Sequence, residues 1–150
     1  MSENKVNPIP DNYQRVIPYL IVKGASDLME FLKTVFDAEE LERMSMPDGT
    51  VAHGEVKIGD STIMVSEASE MYKENPTMLY IYVEDVDATY KKALDAGATS
   101  VKEPENQFYG DRSCMVTEAS GNSWGIATHV EDVSPEEMEK RAAEAMSKTD

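Results

Sequence analysis

YLIVKGASD, residues 19–27, is answered by LYIYVEDVD, residues 79–87, and this pairing decides the fold. Each stretch opens as a β-branched or aromatic run that reads as a buried strand. Each then passes into small and acidic residues that suit a helix start. Further on, VKIGDSTIMVS (56–66) is matched by VTEASGNSWGIA (116–127), with one extra residue in the second turn. The order strand–helix–strand–strand–strand therefore occurs twice.

One βαβββ module leaves a sheet face open and has a marginal core. Two of them predict an α+β protein whose tandem modules form a curved mixed sheet, with helices on the outer face. The concave face is then free to hold a ligand. Residues 1–14, polar and rich in proline, read as an extended arm. Residues 15–130 hold the repeat, with module one at 15–70 and module two at 77–130. Residues 131–150 carry an extra C-terminal helix.

Local signals fill in the modules. In VIPYLIV (16–22), Pro18 removes a ladder donor and predicts a strand end or edge. Leu28, Phe31, Leu32, Val35 and Phe36 fall at helical spacing, with Ser26 as the expected N-cap. Asp48-Gly49 and Gly59-Asp60 mark turns around VAHGEVKI, which alternates His53, Glu55 and Lys57 against Gly54, Val56 and Ile58. In the second helix Asp85 is the expected N-cap and Gly97 the stop, with Val86, Tyr90, Ala93 and Leu94 as the apolar stripe. TSVKEP, RSCMVTE and WGIATH read as the remaining strands. Ser134, Pro135 and Glu137 make a capping box for the last helix.

Hydrophobic residues make up 41% of the 150, enough for a core without disulfides, and Cys114 is the lone cysteine. Its solitude favours a reducing, cytoplasmic setting. Acidic residues outnumber basic ones by 29 to 14, a formal charge of −15 that repels nucleic-acid backbones and anionic membranes. No apolar run approaches the ~18 residues needed to span a bilayer.

Two longer stretches carry a resemblance. YGDRSCMVTEASGNSWGIATHVEDVSPEEMEKR (109–141) and HGEVKIGDSTIMVSE (53–67) resemble the PhnB-like branch of the vicinal oxygen chelate superfamily, which includes glyoxalase I, extradiol dioxygenases and bleomycin-resistance proteins. Cys114 replaces the branch's usual glycine, and EASG replaces its D-P-x-G turn. The resemblance implies a homodimer. In metal-using members four ligands come from the first and last strands of each module. Carried onto this chain, those positions fall at Pro18, Met64 (Ile63 if the register slips by one), Met78 and Gly125. None of these side chains suits a hard or borderline cation. No metal or other cofactor is therefore expected at the inherited site.

His53 and Glu55, two residues apart on one strand face, raise a displaced site as an alternative. A catalytic zinc usually takes three protein ligands. The third would have to come from His129, Glu67 or Glu118. The plainer expectation is that His53 and Glu55 line a pocket, where His53 can also act as a base. Met78, Tyr80 and Tyr82 share one face of the fifth strand and are expected to line the cavity with them. Arg112 suits an anionic ligand or a salt bridge, and Trp124 a stacking platform or, more simply, a helix contact. Cys114 reads as inert packing, and His129 with Glu131 as exposed or capping groups. The expected function is binding of an unknown small molecule without the superfamily metal. The alternatives are a lyase- or isomerase-type enzyme using His53, and a non-catalytic dimeric interaction protein.

Overall fold

The computed structural model describes residues 5–148, so the outermost parts of the expected arm and tail lie outside the described chain. The elements run β1 (Tyr19–Val22), α1 (Ala25–Phe36), β2 (Glu39–Ser45), β3 (Val51–Ile58), β4 (Ser61–Glu67), β5 (Met78–Tyr82), α2 (Val86–Asp95), β6 (Thr99–Asn106), β7 (Asp111–Thr117), β8 (Ser123–His129) and α3 (Pro135–Ser147). The chain divides into two units after Pro76. Each unit has its own four-stranded mixed sheet, ordered β1-β4-β3-β2 in the first and β5-β8-β7-β6 in the second. In both, the first strand pairs parallel with the last and the other pairs are antiparallel. The α+β class and the tandem βαβββ repeat are thus as the sequence predicts.

In the first unit Leu20, Val22, Val56 and Val65 share one face, and all are buried. They meet α1, whose Leu28, Met29, Leu32, Val35 and Phe36 are buried. Burying a residue of this size contributes about 1.5–3 kcal/mol. Pro18 stands just before β1, and its carbonyl accepts the Met64 N–H at 3.0 Å. The helix start differs from expectation. Gly24, in the left-handed region, occupies the cap position rather than Ser26. The Glu67 carboxylate from β4 accepts the Gly24 and Ala25 N–H groups at 2.9 and 3.1 Å. An ionised group from a neighbouring strand offsets the positive helix end better than a hydroxyl inside the first turn. Ser26 instead accepts from Arg43 at 2.9 Å.

The arm is docked on β4 of its own unit. Gln14 bonds the Thr62 backbone twice, at 2.8 and 3.1 Å, and Thr62 Oγ1 donates to the Asn12 carbonyl.

In the second unit Asp85 accepts from Ala88 N, and Gly97 follows α2 at φ 99°. Val86, Thr89 and Ala93 are the buried residues of α2, whereas Leu94 is exposed. Leu94 lies about 100° of helix rotation beyond Ala93, which carries it off the contact face. β6 runs through Pro104, which an edge strand tolerates because one side needs no ladder donor. Ser134 Oγ accepts from Glu137 N at 3.2 Å, and Pro135 opens α3 as expected. Arg141 of α3 binds Glu137 and Glu131. No helix among the described residues is long and apolar enough to cross a membrane.

Candidate functional site

Each sheet has one face toward its helix and one face free of it. In the second unit the register places Ser123, Gly125 and Ala127 of β8 on the free face. Of these, Gly125 lines a cavity, whereas Ala127 is fully buried. Tyr80 stands beside Gly125 on one side and Met115 on the other. A Cβ added at Gly125 would lie 2.8 Å from Tyr80 Cδ2, so the ring lies against the glycine. The result is a cavity of about 840 Å³ lined by Met78, Tyr80, Tyr109, Ser113, Met115 and Gly125, with Lys102 and Glu105 among its polar groups. That volume falls within the ordinary range for small-molecule sites.

Beyond the cavity the Tyr80 and Tyr82 hydroxyls both donate to Asp111 Oδ2, at 2.7 and 2.9 Å. His129 Nδ1 meets the other Asp111 oxygen at 2.9 Å, and its Nε2 meets Asp132 at 2.8 Å. Burial works to raise the Asp111 carboxyl. Hydrogen bonds from His129, Tyr80 and Tyr82 outweigh it and hold Asp111 below its ordinary value. The Tyr80 phenol is pushed up, first by burial and then by the Asp111 carboxylate. His129 is raised by its bonds to Asp111 and Asp132. The network fixes both tyrosine rings as a rigid wall.

The structure thus groups Met78 and Tyr80 at the cavity, with Tyr82 beside them. It sets Arg112 and Trp124 on the opposite, helix-facing side. Arg112 makes a two-point contact with Asp87 of α2, at 2.8 and 2.9 Å, and a third bond to Asn106. Trp124 is 1% exposed and sits in register with Leu79 and Val116, as packing against a helix requires. Burial pushes the Cys114 thiol up to about 11, which keeps it protonated and inert near neutrality. Tyr109, Ser113 and Met115 were not singled out by sequence. The alternation of β7 against the glycine of β8 is the signal that points to the last two.

His53 and Glu55 lie in the first unit, on the free face of β3. His53 Nε2 meets Glu55 Oε2 at 2.7 Å, and His53 Nδ1 meets the Tyr19 hydroxyl at 3.1 Å. Tyr13 of the arm donates to the other Glu55 oxygen. Glu55 is 4% exposed. Burial works to raise its carboxyl, but the bonds from Tyr13 and His53 prevail and hold it below its ordinary value. The residue brought within ligand distance of this pair is Glu42 of β2, not His129, Glu67 or Glu118. Glu67 is occupied at the α1 cap, and Glu118 accepts from Ser120 in its own turn.

The inherited metal positions do not fit a hard divalent cation. Proline has no side-chain donor, methionine offers only a soft thioether, and Gly125 has no side chain and is covered by Tyr80.

A repeated βαβββ unit whose sheet keeps one face clear of its helix defines a class of tandem-module α+β proteins. Residues 14–126 match the Glyoxalase/Bleomycin resistance protein/Dioxygenase superfamily, and the chain belongs to it. An uncharacterised protein of Mycobacterium bovis is 32% identical over 133 residues, covering 81% of this chain and 88% of its own. Among solved structures, TioX from Micromonospora is similar at TM-score 0.67 and 23% identity, over 78% of this chain and 99% of that one. A Bacillus cereus PhnB protein, described as a putative 3-demethylubiquinone-9 3-methyltransferase, has TM-score 0.63 and 19% identity over 77% and 99% of the two chains. The fosfomycin resistance protein FosX of Listeria monocytogenes, solved with Mn(II) and sulfate, has TM-score 0.61 and 20% identity over 86% and 97%. These structural likenesses carry the fold, and the match over residues 14–126 carries the family.

Proposed function

We propose that the protein binds a small, amphipathic, largely planar molecule on the free face of its second sheet, without a metal at the inherited positions. The cavity between Tyr80 and Met115, with Met78, Tyr109 and Ser113 also in its lining, carries this reading. A flat apolar ring can lie in such a cavity, with methionine adapting around it. Lys102 and Glu105 supply polar groups for the ligand's edge. A pinned wall favours binding because little side-chain freedom is lost when the ligand arrives. The homodimer belongs to the same proposal. α3 buries none of its residues, and Met138, Ala142 and Ala145 along its apolar stripe are only half-buried. Light scattering at dilute concentration tests the dimer, and a monomeric mass refutes it.

The binding reading is tested with a library of aromatic amphiphiles scored by thermal shift. A ligand at a hundred times its Kd stabilises by about 2.7 kcal/mol. Ser113→Phe fills the cavity. It is expected to abolish the shifts while leaving the melting temperature of the free protein near its original value. Shifts that survive Ser113→Phe place the ligand elsewhere.

A further inference from the structure

We propose a divalent-cation site of the zinc type on the first unit, formed by Glu42, His53 and Glu55. It lies apart from the four inherited positions and does not depend on the binding role of the second sheet. The three residues offer one nitrogen and two oxygen atoms that all lie within 4.8 Å of one another. Mixed imidazole and carboxylate donors suit Zn²⁺ and its neighbours rather than Mg²⁺ or Ca²⁺.

Three observations converge. The first is the register. β2 carries an irregularity between Glu40 and Glu42, and beyond it Glu42 is the direct cross-strand partner of Glu55. Without the extra residue Leu41 would face Glu55. The bulge therefore aims a second carboxylate at a buried one, and like charges directly opposite are destabilising. The second is the absence of a permanent cation. Among the described residues no lysine or arginine pairs with Glu55: Lys57, on the same face of β3, bonds Asn12, and Arg43 is spent on Glu30 and Glu40. The third is the support behind the donors. Tyr19 holds His53 Nδ1, and Tyr13 holds one Glu55 oxygen, which leaves Nε2 and Oε2 facing each other. Outer partners of this kind orient metal ligands and fix the histidine tautomer.

A metal ion at Nε2 requires the ring proton to sit on Nδ1, where it donates to the Tyr19 hydroxyl. Ligand atoms around a tetrahedral zinc stand about 3.3 Å apart, so the 2.7 Å His53–Glu55 contact opens slightly and Glu42 closes in. Water completes the coordination, because Glu42 is exposed.

Chelator-stripped full-length protein titrated calorimetrically with ZnCl₂, and with MgCl₂ as control, tests this. One equivalent of zinc is expected to bind, with no comparable magnesium binding. Glu42→Gln, an exposed change that leaves the fold intact, and His53→Ala each weaken zinc at least 100-fold. Tyr19→Phe weakens it about 10-fold, as loss of an outer partner does. His129→Ala leaves it unchanged. Zinc binding that follows His129, that persists in both Glu42→Gln and His53→Ala, or that is absent altogether overturns the site.

Discussion

Glu55 shows how much one buried carboxylate decides. It is ionised, nearly covered, and held by one phenol and one imidazole. Glu55→Gln keeps the shape but removes the charge that both donors address. We expect a loss of about 1–3 kcal/mol in denaturant unfolding, the range for a broken buried charge-assisted bond. Tyr13→Phe should lose less, because His53 still pairs with the carboxylate. The second unit gives a pH window with two edges. Asp111 is depressed below its ordinary 3.8, so its contribution is present above that value and is lost as pH falls through the depressed one. His129 is raised above 6.5, so its contribution is complete below 6.5 and is lost as pH rises through the raised value. Stability of this unit should therefore be greatest between the two ordinary values. Imidazole NMR titration of His129 checks the upper edge, which should move down in Asp111→Asn while Asp132 sustains part of it. Neither network was legible in the sequence. His53 and Glu55 were visible as a pair on one strand. Tyr13, distant in the chain, and Glu42, re-aimed by a bulge that no spacing rule announces, were not.

At the level of elements, hydrophobic period and turn chemistry predict both βαβββ orders, the Asp85 cap and the Ser134 capping box. They fail where a neighbouring strand supplies what a local residue was expected to supply. Ser26 has the right chemistry for a cap, but Glu67 arrives from β4 with a full charge. Glu67→Gln is expected to lose about 1 kcal/mol, and Ser26→Ala less at the helix start. Chemical denaturation of the two variants separates the accounts, and a larger loss in Ser26→Ala contradicts the Glu67 cap. Gly110 tests another join. Its φ is 100°, and a Cβ there would collide with the Glu131 carbonyl oxygen. Because the Gly110 carbonyl also accepts from Val130 and Glu131, Gly110→Ala should loosen the approach to α3. A loss of at least about 1–3 kcal/mol is expected, since the obstacle is backbone and has no rotamer to yield.

Taken as a whole, the molecule pairs a repeated architecture with two chemically different sheets. The first unit gathers carboxylates and a histidine. The second holds a cavity between a hydrogen-bonded tyrosine wall and methionine. A superfamily fold specifies where sites can be built, not what they do, so the function rests on these particular side chains. The formal charge of −15 adds a general bias against anionic partners, and binding of a neutral or cationic ligand should be less impaired at low salt than that of an anion. The most direct test is a backbone amide NMR titration of the full chain with a library compound that raises its melting temperature. The proposed function predicts the largest perturbations at Tyr80, Ser113, Met115 and Gly125, lost in Ser113→Phe. Perturbations confined to the first sheet or to α3, or a library that yields no stabilising compound, would contradict it.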